Sequence, residues 1–341
     1  MLQASIAKLV IRENLSQAEA LADMREIMSG KAEPAAVASF LTALSMKGET
    51  VDEITACAQG MTEAATQIHP DGDILEIVGT GGDKAGTFNI STTSMFVIAA
   101  SGAHVAKHGN RGVSSKSGAA DVLEHLGVKI DNPPALTEQM ENDIGIAFLF
   151  APVYHAAMCY VAPVRKTLGI RTVFNILGPL TNPANPRLAL IGVYSKELVR
   201  PIAEVLRKRG LKRALVVYGD DGLDEISASS TTTVAELRDG ALREYTLDPR
   251  TYGLPLARKE ELVGGDPAEN ARITRAILTG EERGAKRTAV LLNAGAGLYL
   301  AGKADDLAAG IRQAGELVDT GKALAKLEEM VAYSRHGGLL H

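Results

Sequence analysis

The sequence predicts an α/β protein: a small all-helical N-terminal domain, then a large α/β domain with a central, largely parallel sheet flanked by helices. Three observations carry that reading. Apolar residues recur at helical spacing through the first 65 or so residues, short β-branched runs then alternate with helical stretches, and glycine clusters stand directly after two of those runs. A chain of 341 residues can bury a sizeable core without a partner, and we place its two domains at 1–68 and 69–341. A segment of about 163–185 is expected to cross back and pack on the helical part.

Ser16-Gln17-Ala18-Glu19 reads as a capping box, followed by Leu21, Met24, Ile27 and Met28 at helical spacing, with Gly30 as the stop. A second helix runs from Pro34 through Val37, Phe40, Leu41 and Leu44 to Gly48. Thr50 and Glu53 cap a third that carries Ile54, Cys57 and Met61. Short connections make these helices antiparallel neighbours. Strands follow at 74–78, 104–106, 146–150, 188–194 and 214–218, then two more at 231–237 and 242–247, and alanine-rich helices from about Pro267 onward.

The charge balance limits the partners. With 36 basic against 41 acidic residues the formal charge is −5, which gives no general attraction to nucleic acid, so phosphate binding must be local. Two cysteines, Cys57 and Cys159, suit a reducing compartment, and both are expected buried and unbridged. No run has the 18 or so apolar residues that span a bilayer and the opening residues lack a leader pattern, so a cytoplasmic location without membrane attachment is expected.

Strand 74–78 runs into Gly79-Thr80-Gly81-Gly82-Asp83, where backbone N–H groups can close around an anion because no Cβ intrudes. It fits neither GxGxxG nor GxxxxGK[ST], and alone it could be a tight strand-to-helix turn. Asn89, Ile90, Ser91 and Thr92 precede a helical run at 93–101, so Ser91 or Asn89 can cap it and leave N–H groups for a phosphate; plain capping would use the same residues. Lys107, His108, Gly109, Asn110, Arg111 and Gly112, then Val113, Ser114 and Ser115 up to Gly118, make a second candidate anion loop at the same sheet edge. Two such loops fit a doubly phosphorylated ligand, although basic loops are often only solvated surface.

Asp224 and Glu225, in the loop after strand 214–218, could hold Mg²⁺ against phosphate oxygens, or be surface charge. Asp220 and Asp221 compete for that role, since a strand ending in two acids also resembles the ribose-binding motif of type I phosphoribosyltransferases, which the following Gly-Leu-Asp-Glu does not continue. Arg165 offers a planar fork for a carboxylate or a structural ion pair. The run 175–183, rich in glycine and proline, reads as a rigid hinge or pocket wall, and His108, His155 and Tyr154 supply ring surfaces.

The order and spacing of GTGGD (79–83), TFNIST (87–92), KHGNR (107–111), VAPVR (161–165), FNILGPLTNP (174–183) and GLDEIS (222–227) resemble those of the anthranilate phosphoribosyltransferase family of tryptophan biosynthesis, over nearly the whole chain. The resemblance implies a nucleoside-phosphorylase-like fold, a homodimer joined through helical domains, and transfer of the phosphoribosyl group of phosphoribosyl pyrophosphate to anthranilate with Mg²⁺, two ions per subunit. It assigns Gly79, Gly82, Asp83, Thr87, Asn89, Ile90, Ser91, Thr92, Ala119 and the residues 107–115 to the pyrophosphorylated sugar. It assigns Arg165 to the anthranilate carboxylate, helped by Asn110 and the Gly79 backbone, His108 and Pro179 to the border of the aromatic ring, and Ser91, Asp224 and Glu225 to the metal. Two residues depart from the family pattern: Lys84 follows GTGGD where a glycine is expected, and Ala156 stands in His155-Ala156-Ala157-Met158 where proline is usual. The rivals are a pyrimidine nucleoside phosphorylase, which needs no paired-carboxylate metal site, and a non-catalytic relative that binds nucleic acid.

Overall fold

The computed structural model describes residues 2–112 and 116–338; Val113, Ser114 and Ser115 lie outside the described residues. Helices α1 (Leu2–Val10), α2 (Gln17–Met28), α3 (Pro34–Lys47) and α4 (Val51–Glu63) open the chain. Both expected capping boxes form. Ser16 Oγ accepts the Glu19 N–H at 3.3 Å while Glu19 accepts the Ser16 N–H at 2.9 Å, and Thr50 and Glu53 do the same at 3.2 and 2.8 Å.

Seven strands then form one sheet: β1 (Leu75–Gly79), β2 (Val105–Gly109), β3 (Ile146–Phe150), β4 (Leu188–Gly192), β5 (Arg213–Gly219), β6 (Thr232–Arg238) and β7 (Ala241–Leu247). Their order is β3-β2-β1-β4-β5-β6-β7, with β3 to β5 parallel and β6 and β7 antiparallel. Helix α5 (Ile90–Ala99) joins β1 to β2, and α6 (Ala119–Leu126) and α7 (Pro134–Ile144) join β2 to β3. The crossover to β4 contains α8 (Ala151–Tyr154), α9 (Ala162–Leu168) and α10 (Phe174–Leu177); α11 (Val199–Lys208) leads to β5. Helices α12 (Pro267–Leu278), α13 (Ala285–Leu300), α14 (Leu307–Asp319) and α15 (Lys322–His336) close the chain.

Side-chain alternation along the central strands builds two cores. Leu188, Leu190, Leu215 and Val217 face a cluster with α5, α13 and α15, whereas Ala189, Ile191, Ala214 and Val216 face the other side. That second cluster also holds α11, the apolar stripes of α1 to α4, and Val164, Val173, Phe174, Ile176, Leu177 and Leu180 from the crossover. The hinge-like run is therefore clamped between the sheet and the helical bundle.

Two expectations are corrected. Cys57 is buried in α4, but Cys159 is exposed, because the short 3-10 helix Ala156–Tyr160 has no buried face. Lys107, His108 and Gly109 belong to β2 rather than to a loop, since parallel pairing with β3 continues through Gly109↔Phe150. Among the described residues no helix is long and apolar enough to cross a membrane.

Candidate active site

Strand β1 has β2 on one side and β4 on the other, and the chain reverses its direction of travel across the sheet there. Such a switch point leaves a crevice beyond the carboxyl ends of the strands. Two of those ends are glycines for a steric reason. A Cβ on Gly79 would overlap the Asp224 carboxylate, and one on Gly192 would overlap the Asp224 backbone, so the loop after β5 lies directly over the ends of β1 and β4.

The loop after Gly79 is tied at several points. Thr80 donates its N–H to Gly192 O at 2.9 Å, Gly81 donates to Asp224 Oδ2 at 2.6 Å, and Arg171 donates to Gly82 O at 2.7 Å. Gly81, Gly82, Lys84 and Gly86 all have positive φ, from 61° to 75°. Lys84, standing where a glycine was expected, thus adopts the left-handed conformation that glycine favours. The N–H groups of Gly82, Asp83 and Lys84 have no hydrogen-bond partner among the described residues, the arrangement of an anion nest. Thr87 is fixed by an antiparallel bridge to Val263.

Neither expected side-chain cap forms on α5. Asn89 occupies the N-cap without a capping bond; its amide instead ties Ser117 O at 3.2 Å and accepts from Asn270 at 2.9 Å. The N–H of Ser91 goes to Glu225 Oε1 at 3.1 Å, so Glu225 caps the helix and the positive end of its dipole faces a carboxylate. Thr92 and the Ile90 side chain are buried, and the Ile90 N–H is taken by Phe88 O at 2.8 Å.

Asp224 and Glu225 are buried rather than surface charges, at 8% and 9% exposure. Burial pushes Glu225 up to about 7, with Lys107 pulling the other way, and burial next to Asp83 and Glu225 raises Asp224 well above the usual carboxylate range. Asn293 of α13 holds the following peptide from both sides, at 3.0 and 2.9 Å to Ile226. Asp220 and Asp221 are spent on the turn: Asp220 accepts from Thr231 and Thr233 at 2.6 and 2.8 Å, and Asp221 from Ser227 at 2.9 Å.

The expected basic loop separates into unlike parts. Lys107 is buried, with Nζ donating to Ile77 O at 2.6 Å and Ser91 Oγ at 3.2 Å, so it is not a free loop cation. Arg111 is exposed and engaged by Glu124 at 2.5 and 2.9 Å and by Asp121 at 3.1 Å. Asp121 also accepts from Gly112 and Gly118, both at 2.8 Å, which draws the loop onto the start of α6 beside Ala119. Asn110 is exposed, and its side chain accepts the Arg111 N–H at 2.8 Å.

His108 is buried against the crossover. Its Nδ1 lies 3.3 Å from Gly178 O, its ring centroid is 4.9 Å from that of His155, and its Nε2 has no partner among the described residues. Burial lowers its pKa to about 3, so the ring is neutral. Pro179 follows in the same buried run. Arg165 stacks over Phe174 at 5.4 Å and has no carboxylate partner among the described residues; burial lowers its pKa, the condition of a guanidinium that an incoming anion would satisfy.

Three supports escaped the sequence reading. Glu76, fully buried and pushed up to about 7 by burial, accepts the His108 N–H at 3.2 Å and an Asn182 amide bond. Asn182 also donates to Ala106 O at 2.7 Å. Arg171 stacks on Tyr194 at 4.0 Å while holding Gly82. A charged residue inside an apolar strand run was the available signal for Glu76.

Known proteins resemble this chain in sequence and in fold. Residues 3–65 match the glycosyl transferase family helical bundle domain, and residues 71–324 match the glycosyl transferase family a/b domain. The chain is 53% identical over 334 residues to an anthranilate phosphoribosyltransferase of Methanobrevibacter smithii, covering 98% of this chain and 99% of that one. The crystal structure of the Thermus thermophilus enzyme of that name superposes with a TM-score of 0.93 at 45% identity, covering 97% of this chain and 99% of that one. The Saccharomyces cerevisiae enzyme, solved in complex with PRPP and Mg, superposes with a TM-score of 0.90 at 30% identity, covering 98% of each chain. With similarity spanning both domains, the chain belongs to the anthranilate phosphoribosyltransferase family.

Proposed function

We propose that this chain transfers the phosphoribosyl group of 5-phosphoribosyl 1-pyrophosphate to the amine of anthranilate, releasing pyrophosphate, in the cytoplasm and as a homodimer. One observation carries the reading: a nest of free N–H groups at Gly82, Asp83 and Lys84 lies at the switch point beside two buried carboxylates that share a site with Ser91. The nest takes phosphate oxygens. Gly79, Thr87, Asn89, Ile90, Thr92, Lys107, Gly109, Asn110, Arg111, Gly112 and Ala119 shape the rest of that pocket.

The donor chemistry fits magnesium. Ser91, Asp224 and Glu225 offer hard oxygens, and burial, with Asp83 and Glu225 beside Asp224, raises both carboxylate pKa values, a penalty that a bound cation would relieve. Among the described residues no three acidic, histidine or cysteine side chains form a closed metal cage, so the remaining positions fall to water and substrate phosphate. Bound magnesium, which we place at two ions per subunit, would offset the charge developing on the departing pyrophosphate.

Arg165 receives the anthranilate carboxylate, and His108, neutral and walled by the run that contains Pro179, borders the ring. A neutral aromatic amine is already a nucleophile, so the residues here align two substrates rather than remove a proton first. The exposed apolar residues Val10, Ile11 and Met46 of the helical bundle support a subunit interface there. A substrate comparison tests the function: anthranilate consumption that requires phosphoribosyl pyrophosphate is expected, whereas turnover of a pyrimidine nucleoside with phosphate would replace this reading with the phosphorylase one.

A further inference from the structure

Behind the active site, between β4 and the C-terminal end of α11, the fold leaves a cavity of about 230 Å³. Leu180, Ile191 and Leu206 give it apolar walls, and Arg187, Arg209 and Asn182 join them. An apolar cavity of about 150 Å³ accepts a benzene molecule, so this one has room for a single ring and a small charged group. Arg187 lies 3.8 Å from Asp73. Arg209 has no carboxylate partner among the described residues, and its guanidinium makes one long hydrogen bond, 3.4 Å to Thr62 Oγ1. Burial lowers the pKa of this group, and most of its five donors are unspent.

The cavity shares a wall with the active site. Asn182, on that wall, donates to Glu76 and to Ala106 O, and Glu76 in turn accepts the His108 N–H. Pro179 also lines the cavity, while the carbonyl of the residue before it, Gly178, meets the His108 ring. We propose that this cavity binds a small organic anion, a carboxylate on a single ring or branched body gripped by Arg209, and that its occupancy is felt at His108 through Asn182 and Glu76. The cavity takes the charge in a bidentate fork and the apolar body against Leu180, Ile191 and Leu206.

Calorimetric titration of cyclohexanecarboxylate into the full chain tests the site. Binding is expected to persist in Arg165→Gln, to weaken at least tenfold in Arg209→Gln, and to vanish in Leu211→Trp, which fills the cavity while leaving Arg209 in place. In the wild type, saturating probe is expected to change the apparent KM for anthranilate at least twofold more than in Arg209→Gln. Binding that is lost in Arg165→Gln yet kept in the other two variants puts the probe in the substrate site and overturns the proposal, as does no binding to any form. An equal KM response in wild type and Arg209→Gln overturns the coupling. The titration does not depend on the proposed function and the kinetic comparison does, so the two failures are distinguishable.

Discussion

Glu225 Oε1 accepts the backbone N–H of Ser91 at 3.1 Å, so a carboxylate 134 residues away closes the first turn of α5. Its neighbour Asp224 accepts the Gly81 N–H at 2.6 Å. The same two side chains that would hold magnesium thus also join the glycine loop to the helix end, and burial raises the pKa of both although these backbone bonds pull the other way. Glu225→Gln keeps an acceptor for Ser91 but removes the buried charge. Thermal unfolding is expected to show unchanged or slightly raised stability, with activity down by roughly 100-fold or more from the lost metal ligand.

The raised pKa of Glu225, about 7, sets a pH dependence. A proton competes with the metal for the carboxylate, so the magnesium concentration for half-maximal activity should rise by roughly tenfold between pH 8 and pH 6. Stability of the metal-free chain runs the other way. Glu76 and Glu225 bind protons more tightly folded than unfolded, so its stability should fall as pH rises from the ordinary glutamate range through about 7. Activity at stepped magnesium and denaturant melts across this window check both.

Gly192→Ala would drive a methyl group into the Asp224 backbone. Displacing Asp224 would disturb the bond its side chain accepts from Gly81, so a loss of about 1–3 kcal/mol is expected in chemical unfolding, together with loss of activity. Retained activity in this variant with full stability would show that the loop yields freely.

Lys84 sits at φ 61°, a conformation that costs a side-chain-bearing residue about 1–2 kcal/mol and glycine almost nothing. Lys84→Gly is expected to change stability by less than about 1 kcal/mol, because relief of strain is offset by unfolded-chain entropy, and to retain activity. Lys84→Val, branched at Cβ, should destabilise and slow turnover.

Much of the architecture was legible because local rules agreed with it. Capping boxes at Ser16 and Thr50 and the alternation along β4 and β5 each follow from residue spacing alone. The six motifs pointed to the candidate site, but the contacts their residues make depend on partners distant in sequence. Nothing near Asn89 signals that its side-chain oxygen accepts from Asn270, or that Glu225 supplies the cap for α5. Lys107 looked like a loop cation until strand pairing enclosed it, and Arg111 was spoken for by Glu124 on the following helix. Cys159 misled because burial is common for cysteine, yet its 3-10 helix has no buried face.

In the proposed function the buried carboxylate pair serves a magnesium-dependent phosphoribosyl transfer to anthranilate. Anthranilate fluorescence followed with phosphoribosyl pyrophosphate, with and without Mg²⁺, on the wild type and on the Asp224→Ala/Glu225→Ala double variant, tests it directly. Fluorescence loss that needs both the metal and the carboxylates is the predicted result; equal loss in the double variant, or none under any condition, would contradict it.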